Sequence, residues 1–370
     1  MDFGYTDEHK MLKETLEKFF LERYSDSLRE ENFESKQGYN NAVWNELCEL
    51  GVLAALITEE QGGFGGNGDD ITIIFQSLGY ALATEPFLSA GVLGLRLAAE
   101  LGLTETVGQC LNGEKQITLA HFEPESRYDP SFINMTAIKL DSGYGLSGRK
   151  SMVYGAQHCD QLLVSSRLES SPDKIALFLI DRKQNCVRCF DQKLIDGSQS
   201  SEIMIEDLQV SEESLVCTDA NVVINKVIAF ANLALSAEAL GAMKKVQAMT
   251  VEYMKDRKQF GRPISSFQAL QHRCVDMVIE IEQFDAAVIK AASMMDQSTT
   301  QDEKDKTISA AKYLAGKTGK LVAEESIQLH GGIGMTWEYP LGHYAKRITM
   351  IDHQFGDSDY HLECFVRLSD

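Results

Sequence analysis

The segment Arg257-Lys-Gln-Phe-Gly-Arg-Pro-Ile-Ser-Ser-Phe-Gln268 ends one long helical pattern and opens the next. Gly261 and Pro263 stop helices, and basic side chains in a last turn complement the helix dipole. The same residues also suit an anion. Arg257 carries a planar fork of donors matched to pyrophosphate, and the following helix N-terminus, with Ser265, turns free N–H groups toward the same space. Alone, the segment favours the plain helix stop. A second segment, Gln328-Leu-His-Gly-Gly-Ile-Gly334, begins 60 residues after Gln268. A helix C-cap needs one glycine; three in four positions also let backbone approach a cofactor closely, with Gln328 able to bond its polar edge.

Working outward, the chain changes character twice. Residues 6 to about 111 read as helices: Phe19, Phe20 and Leu28, then Trp44, Leu47, Leu50 and Leu53, recur at spacings of three and four. Gly62, Gly63, Gly65, Gly66 and Gly68 interrupt that pattern as a turn. No clear strand precedes it and no GKS or GKT follows, so a loop is favoured over a phosphate cradle. Helical periodicity resumes from Ile71 to Leu103. From Gln116 to Val216 the signal becomes short β-branched runs at 117–121, 136–140, 161–164, 175–180 and 202–205. From Asn221 onward long helical patterns return, over 222–256, 267–295, 307–328 and 339–351, with Pro263 and Pro340 between them.

The length of 370 residues exceeds what one core supports and calls for two or three domains. Lys plus Arg total 35 against 55 Asp plus Glu, a net charge of −20, which argues against nucleic acid and anionic membranes as partners. No apolar run reaches the roughly 18 residues of a membrane span. The polar, acidic stretch Met1–Lys10 does not read as a signal peptide. Eight scattered cysteines are no disulfide framework, and a reducing cytoplasm is expected. Cys186 and Cys189 form a lone CxxC without the second pair of a zinc ribbon, so no metal site is expected.

Taken together, Arg257-x-x-Phe-Gly-x-Pro-Ile-x-x-Phe-Gln268, Gln328-x-x-Gly-Gly-x-Gly334 and Glu338-Tyr-Pro340 resemble the acyl-CoA dehydrogenases, over the whole chain. The runs Thr250-Val-Glu-Tyr, Ser266-Phe-Gln-Ala-Leu-Gln-His-Arg and His343-Tyr-Ala-Lys-Arg-Ile-Thr-Met-Ile-Asp look most like small subunits of pimeloyl-CoA dehydrogenase. The resemblance implies a mostly helical α+β fold. It consists of an N-terminal helical domain (1–112), a middle antiparallel β-barrel domain (113–217) and a C-terminal four-helix bundle (218–370). It implies FAD as cofactor and α,β-dehydrogenation of an acyl-CoA thioester to a 2-enoyl-CoA. A carboxylate removes the proton α to the carbonyl while hydride leaves the β carbon for the flavin. It assigns cofactor contacts to Arg257, Phe260, Phe267, Gln268, Gln328, Gly331 and Gly332, and makes an electron-transfer flavoprotein the expected acceptor.

The catalytic carboxylate is absent from both positions the family uses. Counting 27 residues from Gln328 gives Phe355; counting 26 back from Arg257 gives Ala231, followed by Asn232 where an arginine is usual. Asp357 and Glu238 are the nearest substitutes. The flavin-facing β-domain segments are altered as well. Phe122-Glu-Pro-Glu-Ser-Arg-Tyr-Asp129 keeps Glu123, Pro124 and Asp129 but has Phe122 and Tyr128 for small hydroxyls. Met152 and Tyr154 replace a tryptophan and a threonine. The segments this family lends across a dimer interface, to the adenosine and pyrophosphate of a neighbour's FAD, are intact. The expectation is a small subunit in a dimer or tetramer, completed by a larger acyl-CoA dehydrogenase chain that carries the glutamate. The alternatives are a self-sufficient homo-oligomer with a relocated base and a structural subunit without redox role.

Overall fold

The computed structural model describes residues 4–369. Its helices and strands group into two compact units that are not consecutive in sequence. One unit comprises Met1–Glu31, Asn67–Thr84 and Asn232–Asp370; the other comprises Asn32–Gly66 and Glu85–Ala231. The sequential division at 112 and 217 follows changes of secondary structure. The compact units instead follow which helices share a core.

The N-terminal helices are α1 (Asp7–Arg23), α2 (Asp26–Glu34), α3 (Asn41–Glu49), α4 (Gly68–Ala81), α5 (Leu97–Glu100) and α6 (Thr104–Leu111). Phe87–Arg96 winds as a π-helix into α5. The strands between Ile117 and Cys217 are β1 (Ile117–Ala120), β2 (Thr136–Leu140), β3 (Gly143–Tyr154), β4 (Gln161–Leu168), β5 (Ser171–Asp181), β6 (Val187–Lys193), β7 (Gln199–Val210) and β8 (Leu215–Cys217). The long C-terminal helices are α7 (Asn221–Asp256), α8 (Gln268–Met295) and α9 (Gln301–His330), with α10 (Leu341–His353) and α11 (Ser358–Arg367) after them.

In the first unit α1 and α4 join the C-terminal helices. Asn67 and Asp70 form a reciprocal capping box that starts α4, and His9 reaches Asp70 at 3.3 Å from α1. Gly79 on α4 and Gly241 on α7 let these helices touch backbone to backbone. A Cβ on Gly79 would lie 1.9 Å from Glu238 O, and one on Gly241 2.0 Å from Gln76 O. By length and composition α7 is long and apolar enough to cross a membrane, which the sequence reading did not expect. Yet 78% of its most apolar window is buried in the protein, as expected of a core helix.

The second unit carries the sheet, in the order β6-β7-β3-β2-β4-β5-β8 with β1 also on β4. Most pairings are antiparallel as expected, but β4 (Gln161–Leu168) runs parallel to both β1 (Ile117–Ala120) and β2 (Thr136–Leu140). The glycine-rich turn is a structural loop. Arg96 is buried beneath it, donating to Leu56 O at 2.7 Å and Gly66 O at 2.8 Å, with its guanidinium 3.4 Å from the Phe230 ring centre. All eight cysteines are free thiols.

Candidate cofactor-binding site

The two glycine-containing segments meet at one end of the first unit. Met254 at the end of α7, Ile264 in the linker, Met277 on α8 and Leu329 on α9 are buried in one apolar cluster, with Tyr253, Phe267 and Leu270 packed against it. That cluster fixes the linker. Arg257 N–H closes α7 onto Tyr253 O at 2.9 Å, and Ile264 N–H donates to Arg257 O at 2.8 Å. Between them Lys258–Gln259 (β9) and Arg262–Pro263 (β10) form a two-stranded hairpin. Its turn residues Phe260 (φ 53°) and Gly261 (φ 81°) are both left-handed, as a two-residue hairpin requires. The hairpin leaves Phe260 92% exposed, with its ring centre 6.2 Å from that of Phe267. Arg262 lies over the Phe267 ring at 4.1 Å.

α8 begins at Gln268, within one residue of the helical pattern that starts at 267, after a short 3-10 turn over Ile264–Ser266. No side chain caps it. Such an end keeps donor N–H groups for water or an anion. On the facing element α9 ends at His330, which stacks on Tyr253 at 4.5 Å and 21° and bonds Ser326 O and the Tyr339 hydroxyl. Burial holds the His330 pKa below its usual value. A neutral ring suits this stack, which fixes where the glycines leave the helix.

Of the seven residues assigned to cofactor contact, Arg257, Phe260, Gln268, Gln328, Gly331 and Gly332 are exposed in the single chain, and Phe267 is half-buried. At Gly331 and Gly332 an added Cβ would meet nothing within 4 Å. Gly331 has positive φ; Gly332 does not. Neither local backbone nor packing therefore demands glycine at 332, and the open space lies outside the chain's own fold.

The base positions look different. Ala231 is fully buried within α7. Phe355 lies half-buried in the turn between α10 and α11, at φ 57°. Neither substitute carboxylate is free. Glu238 is 6% exposed and accepts from Arg347 through both oxygens, at 2.5 and 2.7 Å. Asp357 caps α11 by accepting Tyr360 N–H at 2.9 Å. In the sheet unit, Glu123 is buried and structural. It accepts from Lys150 Nζ at 2.8 Å and from the N–H groups of Asn134 and Met135 at 2.7 and 3.0 Å. Lys150, wholly buried on β3 (Gly143–Tyr154), also donates to His121 O and Ser165 Oγ, and burial pushes its pKa down to about 8. Tyr154 is buried, 9% exposed, and Met152 is left-handed at φ 51°.

Sequence reasoning missed Lys312, Arg347, Gln354 and His361, which organise the turn around Phe355. One signal was available: Lys312 shares a helix face with Ile308, Ala311 and Ala315, where a lysine in a core row is unusual.

Comparison with known proteins bears on this geometry. The model of the acyl-CoA dehydrogenase C-terminal domain matches residues 221–367, and that of the N-terminal domain residues 6–106. The acyl-CoA dehydrogenase IpdE2 of Mycobacterium tuberculosis is 30% identical over 92% of this chain and 91% of its own. The chain belongs to the acyl-CoA dehydrogenase family. Among solved structures, the ChsE4–ChsE5 complex from Mycobacterium tuberculosis matches with a TM-score of 0.89 at 23% identity, over 99% of this chain and 98% of that one. A Mycobacterium smegmatis glutaryl-CoA dehydrogenase in complex with FADH2 matches with a TM-score of 0.89 at 19% identity, over 98% and 94%. FAD is the cofactor of the family, and the family fold is the one described above.

Proposed function

We propose that this chain is the small, non-catalytic subunit of a heteromeric FAD-dependent acyl-CoA dehydrogenase. In this reading it completes the cofactor site of a larger subunit that carries the glutamate. One observation carries it: six of the seven cofactor-contact residues are turned out to solvent while both base positions lack a carboxylate. The nearest carboxylates, Glu238 and Asp357, are committed to an ion pair and a helix cap.

The residues present fit the adenosine and pyrophosphate end of FAD. Arg257 supplies a planar fork for a phosphate oxygen pair, the uncapped α8 terminus supplies N–H donors, and the unfilled space at Gly331 and Gly332 admits a ligand against the backbone. Gln328 is exposed one turn before those glycines. Bound there, FAD would accept the hydride from the acyl β carbon; this chain's own residues would hold and orient its anionic end. No proton transfer is assigned to this chain.

The wider assignment is an acyl-CoA thioester substrate, an electron-transfer flavoprotein as acceptor, a cytoplasmic dimer or tetramer, and likeness to pimeloyl-CoA dehydrogenase small subunits. The cytoplasmic placement follows the scattered cysteines, and the rest follows the motif resemblance. The similarity to a two-protein complex, ChsE4–ChsE5, supports a heteromer. The test is to purify the chain alone and with a larger family member from the same source. Expected are little bound flavin alone, and flavin with dehydrogenase activity in the pair. Stoichiometric FAD and full activity in the isolated chain would overturn the proposal.

A further inference from the structure

Phe355 holds a left-handed backbone, φ 57°, in the turn between α10 and α11. For a bulky side chain that is a genuine outlier, and such strain persists only where the surroundings over-determine it. The surroundings here do so. Lys312 on α9 is wholly buried and donates to Ile351 O at 2.7 Å, Asp352 O at 3.1 Å and Gly356 O at 2.9 Å. His361 on α11 bonds Phe355 O through Nε2 at 3.2 Å and Ser309 through Nδ1 at 3.4 Å. Arg347 donates to Gln354 Oε1 at 3.0 Å, and Asp352 Oδ1 accepts Ser358 N–H at 3.0 Å. These bonds grip the backbone and the neighbours of Phe355. They would hold a glycine there without strain, so they do not explain a phenylalanine.

The two vacated base positions contrast. At 231 a small alanine is absorbed into the packing of α7. At 355 a large ring is kept in a strained conformation on a turn locked by the buried Lys312 and His361 and by the half-buried Arg347. We propose that Phe355 is an occluding residue and Lys312 its positioning residue. The locked turn presents a fixed aromatic ring where a catalytic chain of this family presents its carboxylate, and closes that place to an acyl-CoA thioester. The proposal rests on the small-subunit reading and deepens it: this chain does not merely lack a base, it is shut against substrate.

The test is calorimetric titration of the purified full chain, and of its complex with the larger subunit, with octanoyl-CoA and with free CoA. Phe355→Gly keeps the backbone conformation and removes the ring. It should raise octanoyl-CoA affinity at least about tenfold, a readily measured step in Kd. Affinity for free CoA should stay unchanged. Lys312→Met should move octanoyl-CoA affinity in the same direction, and Lys312→Arg should return it to wild type. A wild-type octanoyl-CoA affinity within twofold of that of Phe355→Gly overturns the occlusion, whether both bind or neither does. If Lys312→Met does not fold, the Phe355→Gly comparison decides alone. Failure of the small-subunit reading has a separate signature, stoichiometric FAD on the isolated wild-type chain.

Discussion

Arg347 on α10 clasps Glu238 on α7 with both arms of its guanidinium, Nε to Oε1 at 2.5 Å and Nη2 to Oε2 at 2.7 Å. Its remaining arm reaches Gln354, beside Phe355. Both oxygens of the carboxylate are thereby committed to charge-assisted bonds with one guanidinium. The arrangement ties α7 to the turn that follows α10.

Glu238→Ala should therefore act on stability and not on chemistry. Removing one partner of a buried pair strands the other charge and costs about 3 kcal/mol or more. The denaturation midpoint should fall clearly, and Glu238→Ala combined with Arg347→Met should recover part of the loss. Turnover of the assembled complex, measured below the unfolding range, should change by less than about tenfold, short of the roughly 10²–10⁴ expected for a general base. A larger loss of turnover in a well-folded Glu238→Gln variant would make Glu238 the relocated base.

Arg257→Ala tests the lending surface. The side chain is exposed, and substitutions at such sites change stability by within about 0.5 kcal/mol. Flavin content of the complex, read from visible absorbance after desalting, should drop markedly while the isolated chain melts as before. Arg257→Lys should recover only part of the flavin, because a lysine offers a point charge where the guanidinium offers a planar fork. Unchanged flavin in Arg257→Ala would favour a purely structural subunit.

Much of this was open to reading in sequence because it is local. The helix stop at Gly261–Pro263 and the β-branched runs at 117–121, 136–140 and 175–180 fall on elements the structure contains. Strand β3 was hidden. Its sequence Gly-Tyr-Gly-Leu-Ser-Gly-Arg-Lys-Ser-Met-Val-Tyr breaks alternation, its register slips twice against β7 (Gln199–Val210), and its buried Lys150 is explained by His121, Glu123 and Ser165 on other segments. The turn around Phe355 was opaque for the same reason. Lys312, Arg347 and His361 converge on it from three helices, and Glu238 lies 109 positions from Arg347. Periodicity reports which face a residue occupies; it does not report which distant charge it meets.

Three histidines, His121 and His361 buried and His158 half-buried, make the fold sensitive to acid. Burial holds His121 and His361 down to about 3 and His158 to about 4, against an ordinary value of 6.5. The unfolded chain binds protons at these sites from about pH 6.5 downward, whereas the folded chain does not until about pH 4 to 3. Unfolding therefore takes up protons, and stability falls as pH drops through that window. The melting temperature should decline from pH 6.5 toward 4, and His361→Gln should decline less steeply. A melting curve independent of pH across that range would contradict the neutral assignment.

Gly332→Ala separates what the chain needs from what its ligand needs. Gly332 has no positive φ, is exposed, and a Cβ there meets nothing within 4 Å. For the isolated chain the change should be neutral, or stabilising by about 0.4–1 kcal/mol through the lower entropy of the unfolded state. In the complex the added methyl would occupy the space through which a cofactor approaches the backbone. The expected outcome is an unchanged or slightly raised melting temperature alone, with flavin retention in the complex reduced several-fold. Equal flavin retention in Gly332→Ala and wild-type complexes would show that nothing comes to lie against this turn, and would remove the glycine segment from the cofactor site while leaving Arg257 to be judged by its own substitution.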